Sequence, residues 1–296
     1  MKLIVISGRS GSGKSTALNA LEDEGFSCID NFPAGLLPQL IQSNYKAEIV
    51  QDLAVCIDAR NVPADLELLP ERLSALQQDD LQVQVIFLDA LAHRLMQRFS
   101  ETRRRHPLTH VSQDLRQAID MELEVLAVVS ELADLQIDTT NLSAVDLAEM
   151  IKTRVINKSA NSISLLFRSF GFRNGVPIDS DFVFDVRCLP NPYWQEELRS
   201  LSGIDKPVRD FLDSQTVATS LVSDICSFLE TWLHEFEKTN RAYLTVAIGC
   251  TGGRHRSVYV VEKLSKYFSH KYADVMVRHQ ESSVATSGMS ASANRQ

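Results

Sequence analysis

Two stretches of the chain combine glycines with a lysine or arginine at the spacing phosphate chemistry needs. The first, Gly8-Arg9-Ser10-Gly11-Ser12-Gly13-Lys14-Ser15, matches G-x-x-x-x-G-K-[ST] at every fixed position. Glycines let successive backbone N–H groups turn inward around a β-phosphate, and the positive end of a following helix adds to the attraction. Lys14 is then placed to reach the β- and γ-phosphates of a purine nucleoside triphosphate, ATP or GTP, and the Ser15 hydroxyl to ligate Mg²⁺. A Gly/Ser turn that fits the pattern by accident is the plain alternative. A strand-like run before the loop and a helical pattern after it argue against that.

The second stretch is Gly249-Cys250-Thr251-Gly252-Gly253-Arg254-His255-Arg256-Ser257. Glycines and a helix start again make an anion cradle, with Arg256 and Arg254 offering the bidentate fork that suits a phosphate. The candidate ligand groups are Cys250, Thr251, Gly252, Gly253, His255 and Arg256. Asp185, Arg168, Arg173 and Arg187 lie at strand ends that could converge on the same place, though each taken singly reads as a surface charge. The loop also reads as C-x5-R-S, the spacing of cysteine phosphatases, in which a lowered thiol pKa makes the thiolate a nucleophile. Gly249, however, stands where those enzymes usually carry histidine. A Gly-rich structural turn is the third reading.

Other residues could complete the first site. An acidic group at a strand end should support the metal, and both Asp58 and Asp89 qualify. Asp58 is favoured because Asp58-Ala59-Arg60-Asn61 clusters polar groups just past a strand, where ligands of open α/β sheets bind. Asp30-Asn31 follows a short strand-like run, at the place where small P-loop kinases seat an acceptor, or is simply a turn before Pro33. Arg94, Arg98, Arg103, Arg104 and Arg105 precede His106-Pro107 and could close over a phosphoryl group, or form a solvated basic face.

These groups need a scaffold, and the hydrophobic pattern supplies one. Lys2 to Ile6, Asp52 to Asp58, Val83 to Asp89 and Leu135 to Thr139 read as buried strands. Lys14 to Glu24, Ala64 to Gln77, Leu91 to Glu101, Asp114 to Leu132 and Ala144 to Val155 read as helices. The alternation predicts an α/β fold, a doubly wound parallel sheet over 1–156. A polar break at 157–162 is followed by strands Ser164 to Ser169, Asp181 to Arg187 and Tyr243 to Ile248, and by a short run Ala273 to Val277. Helices Val217 to Lys238 and Ser257 to Ser269 complete a second, smaller α/β domain over 162–279. Residues 280–296 are small and polar and predict a disordered tail.

At 296 residues the chain is long enough for two cores. Runs of about 18 to 20 apolar residues are missing, as is a leader, so neither a membrane span nor export is expected and the reading is cytoplasmic. Five cysteines without a CxxC pair suit a reducing compartment, and a formal charge of -8 argues against a protein that coats nucleic acid.

Over residues 1 to about 279 the chain resembles the RapZ family of bacterial P-loop nucleotide-binding proteins, also called RNase adapter proteins. The likeness rests on GRSGSGKS from Gly8, DARN from Asp58, TRRRHPL from Thr102, SFGFRNGVPIDSDFVFDVRCLPNPYW from Ser169 and LTVAIGCTGGRHRSV from Leu244. It implies a kinase-like N-terminal domain that hydrolyses ATP and GTP, with Asp58, Ala59, Arg60 and Asn61 at a guanine nucleotide. It implies a C-terminal domain that senses glucosamine-6-phosphate, binds a small regulatory RNA, and works with an endoribonuclease or signalling proteins, in a homo-oligomer. RNA-binding members end in a compact Lys/Arg cluster, whereas this chain ends in Ser, Ala and Asn. The cations left for RNA are Lys263, Lys266, Lys271 and Arg278, beside His270 and His279. A small-molecule kinase is the competing expectation, from the P-loop, Asp30 and the arginine-rich segment.

Overall fold

The uninterrupted apolar run after Lys2 forms strand β1 (Lys2–Gly8) of the computed structural model, buried from Leu3 onward. The structure describes residues 1–46, 51–76, 81–102, 105–109, 114–156, 163–239 and 241–281. The expected boundary at 157–162, Arg103 and Arg104 of the arginine-rich segment, and 282–296 of the expected tail lie outside the described residues. The chain divides into two compact units, 1–157 and 158–296.

In the first unit β1 is followed by α1 (Lys14–Glu22), β2 (Ser27–Ile29), α2 (Leu37–Lys46), β3 (Leu53–Cys56), α3 (Pro63–Glu67) and α4 (Leu69–Leu76). Then come β4 (Gln82–Asp89), α5 (Ala92–Thr102), α6 (Leu115–Val125), α7 (Ala127–Glu131), β5 (Leu135–Asp138) and α8 (Ala144–Ile151). The strands pair in parallel in the order β2-β3-β1-β4-β5, with Ile6 of β1 opposite both Cys56 and Ile86. Both faces of such a sheet are covered, which is why its strands read as continuous rather than alternating apolar runs. Leu3, Val5, Val55, Ile57 and Phe87 share one core with Leu37 of α2 and Leu69 of α4.

The order places β1 where the chain switches from one side of the sheet to the other. Ligands of open α/β sheets bind at that switch, beyond the carboxyl ends of the strands. Gly8 ends β1, Asp30 follows β2, Asp58 lies just past β3, Asp89 ends β4 and Thr139 follows β5. One topological fact thus gathers residues that are far apart in sequence.

Two expected helices are each broken in two. Ala64 to Gln77 breaks at Leu68, with Pro70 in the first turn of α4, where a proline lacking its N–H is tolerated. Asp114 to Leu132 breaks at Leu126, whose φ −94° and ψ 5° leave the helical region. Helix α8 starts at a capping box in which Ser143 and Asp146 satisfy each other's backbone N–H.

The second unit contains β6 (Ser164–Gly171), β7 (Phe182–Asp185), α9 (Lys206–Asp213), α10 (Thr216–Lys238), β8 (Tyr243–Cys250), α11 (Arg256–Phe268) and β9 (Val275–His279). Its sheet is also parallel, in the order β7-β8-β6-β9. Leu165, Phe167, Val246 and Ile248 pack with Leu229 and Leu233 of α10 and Val260 and Leu264 of α11. Helices α2 and α9 have no counterpart in the sequence reading. Each has proline as its second residue, Pro38 and Pro207, which reads as loop punctuation but fits a first helical turn.

Candidate functional site

The loop after β1 is shaped by what only glycine can do. Gly8 has φ 136°, and a Cβ there would lie 1.9 Å from the Leu88 carbonyl oxygen on β4. Gly13, at φ 105°, caps α1, and a Cβ on it would meet Leu147 of α8 at 2.6 Å. Lys14 folds back across the loop, its Nζ donating to the carbonyl oxygens of Gly8 at 2.7 Å and Arg9 at 3.2 Å. Arg98 of α5 donates to Gly11 O at 2.9 Å and to Thr139 O at 2.5 Å, fastening the loop to the end of β5.

The strand ends open into a cavity of about 570 Å³, lined by Ser10 through Thr16, Asp30, Asp58, Arg60, Arg98 and Arg105. Leu142, Ala144 and Leu147 give it an apolar side. That size suits a nucleotide-scale ligand. Arg94 bonds Gln97 at 2.7 Å instead of lining the cavity, so of the described arginines in that segment Arg98 and Arg105 reach it.

The two candidate metal aspartates separate clearly. Asp89 accepts from Arg9 Nε at 2.7 Å, and Arg9 Nη2 donates to Ala90 O at 2.7 Å, so the buried Arg9 side chain turns to β4 and away from the cavity. Asp58 lines the cavity and is gripped by Arg60, with Nε 3.0 Å from each carboxylate oxygen. Burial would raise the Asp58 carboxyl, but hydrogen bonds from Arg60 and the charge of Lys14 outweigh it and hold it below its ordinary value. Ala59 is buried in the core. The Asn61 amide accepts from Ala34 N–H at 2.7 Å and donates to the Phe32 and Asp58 carbonyls, both at 3.2 Å. Within the DARN run, then, Asp58 and Arg60 face the ligand space while Ala59 and Asn61 hold the turn.

Sequence reasoning passed over Glu122 and His106 as functional groups. Glu122 sits in α6 with its side chain at 0% exposure, and His106 matches it. Its Oε2 accepts from the Ser10 N–H at 2.7 Å and pairs with His106 Nε2 at 2.9 Å, and its Oε1 accepts from Ser10 Oγ at 2.7 Å. A glutamate in mid-helix carries no sequence signal that it is buried. Burial would raise its carboxyl, but His106, Lys14 and Ser10 together hold it below its ordinary 4.5. A carboxyl depressed in the folded state stabilises above its unfolded value, and that contribution is lost as pH falls through the folded one. Thermal melting of the first unit is therefore expected to lose stability on acidification below pH 4.5 more steeply in the wild type than in Glu122→Gln. Parallel melting curves for the two proteins would count against Glu122 as the source.

The second loop follows β8 in the same way. Cys250 is buried, its Sγ accepting from Gly253 N–H at 3.2 Å and lying 3.2 Å from Ser257 Oγ. Gly253, at φ 70°, lets the loop pass Gly171, whose backbone N would lie 2.6 Å from a Cβ. A cavity of about 360 Å³ forms here, lined by Arg173, Arg199, Arg254 and Arg256 with Cys250, Thr251, Gly252, His255, Asn191 and Tyr193. Four arginines lining one concavity suit a phosphorylated ligand, although Arg173 also pairs with Glu281, and Arg199 and Arg254 also donate to the carbonyls of Tyr193 and Ser200. Arg256 also braces the wall, its Nη1 donating to the carbonyls of Arg187 at 2.8 Å and Leu189 at 3.0 Å. Burial and the charges of Arg254 and Arg256 hold His255 below the ordinary imidazole value despite its bond to Leu198 O at 3.2 Å.

Asp185 does not line this cavity. It pairs with Arg187 at 2.7 Å, whose hydrogen bond holds the Asp185 carboxyl below its ordinary value, and the guanidinium lies 4.2 Å from the Phe172 ring centre. Arg168 is committed to Asp179, a buried pair at 2.7 Å. Arg173 alone of the four strand-end charges lines the cavity. Of the cations considered for RNA, Lys263 pairs with Asp213 at 2.7 Å and Lys271 with Glu230. Lys266 is exposed on α11, and Arg278 lies on β9. Among the described residues no helix is long and apolar enough to cross a membrane.

Comparison with known proteins adds to this picture. Residues 1–159 match the family model described as the RapZ-like N-terminal domain, and residues 163–283 match that of the RapZ C-terminal domain. A nucleotide-binding protein of Pseudomonas putida strain GB-1 is 52% identical over 283 residues, covering 95% of this chain and 100% of the relative. One from Marinobacter nauticus is 51% identical over 284 residues, covering 95% of this chain and 97% of the relative. Among solved structures, shikimate kinase from Bacteroides thetaiotaomicron is 15% identical with a TM-score of 0.33, covering 51% of this chain and 94% of that one.

Proposed function

The chain belongs to the RapZ family through both of its units, and from that membership we propose a regulatory protein that binds and slowly hydrolyses ATP or GTP and senses an amino-sugar phosphate. One observation carries the reading: each parallel sheet ends in a glycine-shaped loop beside a cavity, one holding Lys14, Ser15 and Asp58, the other four arginines. The relatives' name, nucleotide-binding protein, supports the first half of it.

The loop N–H groups and Lys14 would hold the phosphates, with Arg98 keeping the loop in place. Mg²⁺ fits the residues present, since it takes hard oxygen ligands and usually one or two from protein. The Ser15 hydroxyl and the ionised Asp58 carboxylate, both on the cavity wall, would hold it, and when bound it would supply neutralisation of charge on the β- and γ-oxygens. Asp58, which lines the cavity, would serve this role in preference to Asp89, which does not line it and is turned to Arg9. In the second unit Thr251, the loop backbone and the arginines would take the sugar phosphate. A small regulatory RNA, an endoribonuclease or signalling proteins, a homo-oligomeric assembly and a cytoplasmic setting complete the proposal.

The test is calorimetric titration of glucosamine-6-phosphate, with glucose-6-phosphate as control, into wild type and Arg256→Ala. Loss of a charge-assisted bond and of the braced wall is expected to weaken binding at least about tenfold. A wild type that binds neither sugar would break the sensor half of the reading. A second reading, a small-molecule kinase, draws on Asp30 lining the same cavity as Lys14. It requires an acceptor that raises turnover to the ~1–100 s⁻¹ usual for kinases.

A further inference from the structure

We propose that Glu122 and His106 are positioning residues for the nucleotide, setting the shape of the phosphate loop and fixing it to the part of the cavity wall that carries Arg105 and Pro107. The inference rests on the nucleotide half of the reading above and extends it to two residues that touch no ligand.

Ser10, inside the loop, gives both its N–H and its hydroxyl to one buried carboxylate, each at 2.7 Å. Two directed bonds to one planar group fix both the position and the rotation of that residue. The third bond of the carboxylate goes to His106, whose Nδ1 accepts the Leu108 N–H at 3.2 Å. That assigns the proton to Nε2, where it points at Glu122. The ring also packs 5.1 Å from that of Phe99, centre to centre. Arg105 and Pro107, on either side of His106, line the nucleotide cavity together with Ser10. A chain of hydrogen bonds therefore runs from the loop through α6 to the segment that carries Arg105 and Pro107.

The charge of Glu122 sharpens the point. A buried carboxylate beside a phosphate cradle opposes the ligand's own charge, so attraction cannot be what it contributes. What it supplies is geometry. The field of Lys14 offsets its charge, together with the bonds from His106 and Ser10. Glutamine at this position can keep all three contacts, its oxygen accepting from Ser10 N–H and His106 and its NH2 donating to Ser10 Oγ, whereas methionine, of similar shape, can make none of them.

Turnover of Mg·ATP and binding of a fluorescent ATP analogue by full-length wild type, Glu122→Met, Glu122→Gln and Ser10→Ala test this, with thermal midpoints as a check on folding. Loop positioning acts alike on ground state and transition state, so Glu122→Met should raise KM about ten- to a hundredfold with kcat nearly unchanged, and Glu122→Gln, which keeps the contacts, should raise it less. Ser10→Ala keeps the N–H bond and should raise KM less than Glu122→Met. A merely structural role would reduce the active fraction, lowering kcat at constant KM. A folded Glu122→Met with wild-type KM would overturn the proposal while leaving the nucleotide reading intact. A wild type that does not bind the analogue would remove both. Should Glu122→Met fail to fold, Ser10→Ala and His106→Phe, each of which removes one bond of the carboxylate, decide by the same KM-against-kcat split.

Discussion

Replacing Lys14 with methionine is expected to lower kcat/KM for ATP and GTP on the order of 10²–10³-fold, the loss seen when one directed donor to transition-state charge is removed. Methionine preserves the apolar stem, so packing beside the loop is little disturbed. What disappears is the ammonium, which in this structure bridges the Gly8 and Arg9 carbonyls and offsets both Asp58 and Glu122. Both carboxyls should then titrate at higher pH than in the wild type, a change visible by NMR even without nucleotide. Steady-state hydrolysis is the deciding measurement, and a variant within threefold of wild type, as a rough bound, would remove Lys14 from the phosphate site.

The second large effect concerns stability. Arg168 and Asp179 form an ion pair whose side chains are 2% and 3% exposed. Removing one member of such a pair leaves a charge in a dry environment, which typically costs about 3–5 kcal/mol. Arg168→Met should therefore lower the stability of the second unit by that amount. Urea unfolding followed through hydrogen exchange of the β6 amides would read it locally. A loss below about 1 kcal/mol would place the pair among those whose desolvation cancels their attraction.

Sequence carried the fold well, because its signals were of the kind that burial enforces. The continuous apolar runs could only be strands with both faces covered, and β1, β6 and β8 bear this out with nearly every residue buried. Helix starts were harder. Pro38 and Pro207 look alike whether they end a segment or open one, and nothing in the residue types around Leu126 marks the change of direction there.

The site divided along similar lines. Backbone-based chemistry was legible, since Gly8 and Gly13 are required by φ and by close approach, constraints that leave a trace in composition. Side-chain direction was not. Arg9 and Asn61 stand within good motifs yet face β4 and the Phe32 turn, while Arg199, outside any motif, and Tyr193, near the end of the long run from Ser169 and not singled out as a ligand group, line the second cavity. Asp185 was drawn to that cavity by its place at a strand end, but Arg187, two residues on, holds it. Such competition between near neighbours depends on rotamers, which spacing does not encode.

The parallel pairing of the second unit also sets an order of events during synthesis. Strand β6, apolar from Leu165 to Phe167 and buried throughout, finds its partners only at Tyr243–Cys250 and Val275–His279. Long-range pairing of this kind must meet the entropy of closing a large loop before any contact repays it, and it folds slowly. As the chain leaves the ribosome, β6 must stay unpaired while roughly seventy more residues are made, on the order of 4 to 14 seconds at ~5–20 residues per second, with its apolar edge open to other chains. Truncation before Val275 would leave that strand unpaired on one side for good, so expression of shortened forms should be limited by aggregation well before it is limited by loss of any binding residue.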